Sequence, residues 1–223
     1  MQLYSFFNSS TSYRVRIALA LKGLDFSYEQ VNIRTGAHRD ARYVAEINPS
    51  AAVSALVDGE FRLGQSLAII DDYLDERHPE PRLIPDDARE RARVLELSNL
   101  IACDIHPVNN LRVLRYLQDE LKVTPEQKDA WYRHWIAEGM TSVERLLARA
   151  DAEAAAGGTA GPWCFGAKPT LADVCLVPQF ANAQRMGCDM SVYSRSLKIY
   201  EHANKHPAFE RAKPQNQPDY VSA

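Results

Sequence analysis

The sequence lacks any long apolar run, and none approaches the roughly 18 residues that mark a candidate membrane-spanning helix. It also lacks a basic excess. Lys and Arg number 26 against 29 Asp and Glu, a net charge of −3. This excludes the basic stripe of a nucleic-acid binder or of an anionic membrane surface, so neither partner is expected. Cysteine is sparse. Cys103, Cys164, Cys175 and Cys188 match no CxxC or zinc spacing, which excludes a disulfide scaffold. No His/Cys/Asp/Glu cluster has the spacing of a metal site, and no metal is expected. Met1 leads almost at once into Leu3-Tyr4, without the basic start and apolar stretch of a signal peptide. The expectation is a cytoplasmic protein with reduced thiols. GxSxG, P-loop and GxGxxG motifs are missing too, which removes the commonest hydrolase and nucleotide-binding signatures.

What remains is ordinary globular composition, with 46% apolar and 25% charged residues in 223. The chain reads in two parts. Gln2 to Phe6 reads as a strand and Ser10 to Lys22 as a helix with Val15, Ile17, Ala18 and Leu21 on its apolar face, stopped by Gly23. Phe26 to Ile33 alternates as a half-buried strand does, and Tyr43 to Ile47 is a weak helical turn. Val53 to Val57 and Phe61 to Leu63 flank Asp58-Gly59, a hairpin signal. Ser66 then caps a helix running to about Arg77. This order predicts a small mixed sheet with helices packed on it, ending at about residue 80. The proline-rich stretch His78 to Pro85 cannot continue a helix and reads as a linker.

From residue 86 to 223 the pattern is all-helical. Helices are predicted over Ala88 to Cys103, Pro107 to Leu121, Pro125 to Ala150, Thr170 to Met186 and Ser194 to His206, with a loop over Ala154 to Gly161. Thr170-Leu-Ala-Asp173 has the spacing of a capping box.

Three places could carry chemistry. Ser9-Ser10-Thr11-Ser12 puts hydroxyls and unpaired N–H groups at a helix start, either as a plain cap or as a site for an anion such as a thiolate. Gln65-Ser66 offers an amide and a hydroxyl at the next such start, again a cap or a carboxylate grip. Both would lie at the carboxyl ends of strands, where open α/β sheets bind ligands. The third is the polar run Asp104-Ile-His106-Pro-Val-Asn-Asn110-Leu-Arg112, where His106 and Asn110 serve either a ligand or a surface contact.

Several pieces together resemble the glutathione transferases, and most closely their zeta class, the maleylacetoacetate isomerase family. They are Ser9-Ser10-x-x-Tyr13-Arg14-Val-Arg16-Ile-Ala-Leu-Ala-Leu-Lys22-Gly23, Asn48-Pro49, Gln65-Ser66-Leu-Ala-Ile-Ile70, Cys103-Asp-Ile-His-Pro-x-Asn-Asn110, Leu171-Ala-Asp173-x-Cys-Leu-Val-Pro-Gln179 and Gln217-Pro218-Asp219. The resemblance implies an α/β N-terminal thioredoxin-like domain over 1–80 and an all-α C-terminal domain over 86–223. It implies a glutathione-dependent cis-trans isomerase of aromatic or tyrosine breakdown, and a homodimer. By the same resemblance Ser9 stabilises the thiolate, with Ser10 beside it. Val53 pairs through its backbone with the cysteinyl part of glutathione, and Gln65 and Ser66 hold the γ-glutamyl end. His106 and Asn110 line the active site, and Arg185 suits a substrate carboxylate.

The chain departs from the family's pattern at three positions. Ser54 stands where the family has a normally cis proline, and the sequence leaves the Val53–Ser54 bond open between cis and trans. Asn8 replaces an arginine suited to clamp a substrate carboxylate, and Thr11 replaces a frequent cysteine. The alternatives are a maleylpyruvate isomerase, a general glutathione transferase or α-halo acid dehalogenase, and a non-catalytic glutathione-binding module.

Overall fold

The structure is a computed structural model in which residues 1–222 are described. The chain forms two compact units, residues 1–84 together with 204–222, and residues 85–203.

The first unit is built on four strands, β1 (Gln2–Ser5), β2 (Ser27–Gln30), β3 (Ala55–Asp58) and β4 (Phe61–Gly64), in the order β2-β1-β3-β4. β1 runs parallel to β2 and antiparallel to β3, and β3 runs antiparallel to β4. The parallel pair needs a crossover, which α1 (Ser10–Leu21) supplies. Leu3 and Leu56 face each other in register and are wholly buried, with Val15, Ile17 and Leu19 of α1 also in the core. Burying each such side chain contributes roughly 1.5–3 kcal/mol. β2 is shorter than its alternating pattern predicts, because this edge strand stays half-exposed and has a partner on one side only. In the hairpin Asp58 pairs with Phe61, so the two-residue turn is Gly59-Glu60, with Gly59 at φ +61°.

α1 is buried on nearly every side and not on one apolar face, with even Arg14 and Arg16 about 1–2% exposed. The reason lies at the far end of the chain. α2 (Ala41–Glu46) is the short turn predicted near residue 43, but the second cover of α1 is a helix over Pro207–Ala212. The sequence division placed residues 204–222 with the helical half, whereas their contacts place them with the α/β unit. Helical periodicity shows that a face is buried but not which core receives it.

After β4 a continuous helical run covers Ser66 to Arg77, as α3 (Ser66–Ala68), a π-helical turn over Ile69–Leu74 and α4 (Asp75–Arg77). Its end is tied down by charge. Lys22 Nζ donates to Asp75 Oδ1 at 2.7 Å, to His78 O at 2.6 Å and to Pro81 O at 2.9 Å. Asp75 accepts in turn from the N–H groups of Leu83 and Ile84. The proline-rich linker is therefore an ordered strap over a buried ion pair.

The second unit comprises α5 (Ala88–Asn99), α6 (Leu111–Asp119), α7 (Pro125–Ala155), α8 (Leu171–Arg185) and α9 (Ser194–Ala203), and the last helix of the first unit, Pro207–Ala212, is α10. Thr124 and Gln127 form a capping box on α7. The predicted box on α8 is present, with the Asp173 carboxylate accepting from Thr170 N–H, Thr170 Oγ1 and Cys164 N–H. The helix predicted to end at Cys103 instead widens into a π-helical turn over Leu100–Ile105, followed by a 3-10 turn at Pro107–Asn109. Among the described residues no helix is long and apolar enough to cross a membrane, and no His/Cys/Asp/Glu group could hold a metal ion.

Candidate active site

Ser9 is the N-cap of α1, in extended conformation, and its Oγ accepts from the Ser12 N–H at 3.3 Å. The hydroxyl of Ser9 lies 2.9 Å from Thr11 Oγ1, and Thr11 Oγ1 donates to Val53 O at 2.9 Å. A hydroxyl carries a single proton. Thr11 commits its proton to the carbonyl, so Ser9 donates to Thr11. This chain joins the helix start to the Val53–Ser54 segment, whose peptide bond is cis. Ser54 Oγ completes the link with a long bond to Thr11 O at 3.5 Å. Ser10, the first helical residue, is 8% exposed, and its hydroxyl has no hydrogen bond among the described residues. The sequence reading made little of Thr11, yet Thr11 connects Ser9 to Val53.

The second helix start is Gln65-Ser66. Gln65 takes φ +65° and ψ 114°, a conformation that costs a non-glycine residue of order 1–3 kcal/mol and concentrates at functional sites. Gln65 is exposed, and Ser66 is 5% exposed. Beneath them lies Arg14, whose Nη1 donates to Ser66 Oγ at 3.4 Å. Its Nε and Nη2 are buried without any partner. A buried guanidinium with two idle nitrogens is expensive unless an anion completes it. Nothing in the local sequence marks Arg14, because its partner Ser66 lies 52 positions away.

In the second unit, Asn110 caps α6 and its amide lies 3.4 Å from His106 Nε2, so these two predicted residues sit together. Both follow the π-helical turn, which packs tightly on α7. A Cβ built on Gly139 would fall 2.3 Å from Ile105 Cγ1. Arg185 is exposed near the end of α8 and donates to Asn182 Oδ1 at 2.6 Å. Asn182 donates to Tyr132 Oη at 2.9 Å, and Tyr132 O accepts from Asn109 at 3.2 Å. Arg185 is thus linked through Asn182 and Tyr132 toward the His106–Asn110 segment. Burial pushes the Tyr132 hydroxyl above its ordinary range, so it stays protonated. Sequence reasoning missed Tyr132 and Asn182, which look like plain helix residues in an apolar pattern. Asn8 is half-buried beside Ser9.

Comparison with known proteins defines the class. Residues 3–82 match the N-terminal domain of glutathione S-transferases, and residues 133–193 match their C-terminal domain. A probable maleylacetoacetate isomerase of Vibrio cholerae is 46% identical over 97% of both chains. Among solved structures, the holo form of a bacterial maleyl pyruvate isomerase of the zeta class superposes with a TM-score of 0.92 at 39% identity, covering 99% of this chain and 100% of that one. A maleylacetoacetate isomerase from Methylobacterium extorquens, solved with malonate and glutathione bound, gives a TM-score of 0.90 at 31% identity with full coverage of both chains. The chain belongs to the glutathione S-transferase family, and within it to the zeta class that contains the maleylacetoacetate isomerases. Its α/β unit and helical unit are the thioredoxin-like and all-α parts of that fold.

Proposed function

We propose that the protein is a glutathione-dependent cis-trans isomerase that converts maleylacetoacetate to fumarylacetoacetate. The observation that carries the assignment of the cofactor site is Arg14. Its Nη1 holds Ser66 from beneath, and Ser66 with the exposed, strained Gln65 suits the α-carboxylate at the γ-glutamyl end of glutathione. When bound, glutathione would supply a thiolate as the nucleophile for reversible addition to the cis double bond.

The residues of this chain do the rest. The first N–H groups of α1 stabilise negative charge at the helix start. Ser9 supports a thiolate there by turning its proton away from Thr11, and Ser10 has a hydroxyl proton already available. Val53 offers backbone groups to the cysteinyl part. Arg185, held by Asn182, suits a substrate carboxylate, and Asn8 supplies hydrogen bonds without charge. His106 and Asn110 add polar contacts. The cytoplasm is the expected compartment and a homodimer the expected assembly, the latter checked by light scattering at micromolar concentration.

A second reading, maleylpyruvate isomerase, is favoured by the neighbour with TM-score 0.92. Here Leu111 brings no extra charge beside Arg112 for a shorter diacid, which favours the longer substrate. Comparing kcat/KM on both substrates tests this. A higher value on maleylacetoacetate is expected, and a higher value on maleylpyruvate reverses the choice.

A further inference from the structure

The Gln217-Pro218-Asp219 stretch has no part in the chemistry above, yet it lies against the loop that opens the site. Residues 6–9 carry the chain from β1 into α1, and all four polar backbone groups of the first two are held. Phe6 N–H donates to Ser12 Oγ at 3.4 Å. Phe6 O accepts from Ser9 N–H at 3.0 Å and from Arg16 Nη1 at 3.3 Å. Phe7 O accepts from Arg16 Nη2 at 3.0 Å. The remaining group, the Phe7 N–H, donates to Asp219 Oδ2 at 3.0 Å, across 212 residues of sequence. The other oxygen of Asp219 accepts from Tyr28 Oη at 2.6 Å. The carboxylate is nearly buried, at 6% exposure, and the Tyr220 ring meets the Phe7 ring edge-on.

Hydrogen bonds to a charged acceptor are roughly twice as strong as neutral ones. The C-terminal segment therefore grips Phe7 by its N–H, while Arg16 grips the same residue by its carbonyl. Only Asn8 separates Phe7 from Ser9. We propose that Asp219 is a positioning residue for the thiolate site: through the Phe7 N–H it sets the direction in which the hydroxyls and first N–H groups of α1 meet the sulfur. This rests on the reading of Ser9 and Ser10 given above. It gives the C-terminal segment a role beyond covering α1, because a displacement of about 1 Å at a catalytic group can cost about 100-fold in rate.

The test measures kcat, KM and the ultraviolet titration of enzyme-bound glutathione thiol in wild type, Asp219→Ala, Asp219→Glu and Ser9→Ala. Asp219→Ala is expected to lower kcat about tenfold and to move the bound thiol's titration to higher pH, with substrate KM unchanged. Asp219→Glu is expected to recover most of both. A folded Asp219→Ala enzyme with wild-type kcat and thiol titration overturns the proposal, whatever its Tm. Ser9→Ala separates the two ideas. A shift in Ser9→Ala with none in Asp219→Ala rejects Asp219 alone, while no shift in Ser9→Ala rejects the serine site and this proposal with it. Where Asp219→Ala fails to fold, Tyr28→Phe removes one donor to the carboxylate and is expected to show the same shift at smaller size. An unshifted titration there overturns the proposal as well.

Discussion

Ser9 has one hydroxyl proton, and its neighbours decide where that proton goes. Thr11 gives its own proton to Val53 O and so takes the proton of Ser9. Replacing Ser9 by Ala removes both this link and the cap on α1, so it is expected to lower kcat strongly and stability by about 0.5–2 kcal/mol. Ser10→Ala removes a hydroxyl that caps nothing, so any loss of kcat there comes without loss of Tm. Arg14 gives a sharper separation. Arg14→Met keeps the length of the stem but removes a buried charge with two unpartnered nitrogens. Its expected outcome is a KM for glutathione raised about tenfold or more together with unchanged or higher Tm, since replacing a poorly paired buried ion by an apolar side chain is often neutral or stabilising. Steady-state kinetics at varied glutathione beside a thermal melt checks it, and a lower Tm with unchanged KM counts against the carboxylate role. The serines, Gln65-Ser66 and the His106–Asn110 pair were legible because hydroxyls, amides and prolines mark helix starts by themselves. Thr11 and the idle nitrogens of Arg14 were not, because they depend on atoms more than 40 positions away.

At the scale of elements, the strands, α1, α7 and the α8 capping box follow from local pattern. The two π-helical turns do not, since one extra residue in a turn leaves the apolar spacing nearly intact. One of them, Leu100–Ile105, sets the position of His106, and Gly139 of α7 makes room for it. Gly139→Ala would place a methyl 2.3 Å from Ile105 Cγ1. Despite the better helix propensity of alanine, this substitution is expected to destabilise by about 1–3 kcal/mol through overpacking. It is also expected to lower isomerase activity by displacing the turn before His106. Denaturant unfolding and a kinetic assay check both, and a stabilised, fully active variant contradicts this packing. The strap at residues 78–84 is a second element whose order the sequence hides. It reads as a loose linker by its prolines, yet Lys22 and Asp75 hold it from beneath. Asp75→Ala leaves the Lys22 ammonium buried without its anion, and the expected cost is about 3–5 kcal/mol, read from denaturant unfolding.

In the whole molecule, the C-terminal residues close the α/β unit, and this was not legible because an amphipathic helix does not name its partner. Their attachment has a pH signature. Burial and the bond to Asp219 raise the Tyr28 pKa in the folded state. The folded protein therefore holds that proton more tightly than the unfolded chain does. The stabilisation is complete below the unfolded tyrosine pKa, about 10, and is lost as pH rises beyond it. Tm is expected to fall above that pH, more steeply in wild type than in Tyr28→Phe. Burial likewise draws the Arg16 guanidinium down to about 10, so it remains charged at neutral pH and keeps its grip on Phe6 and Phe7. The C-terminal segment and Arg16 hold the loop before α1, while the strap is tied to Lys22 at the other end of that helix. The most direct test is a spectroscopic assay of maleylacetoacetate isomerisation by the purified protein with and without glutathione. The account predicts conversion to fumarylacetoacetate only when glutathione is present, and its abolition or near-abolition in Ser9→Ala. Conversion that proceeds equally without glutathione, or none in its presence, would contradict it.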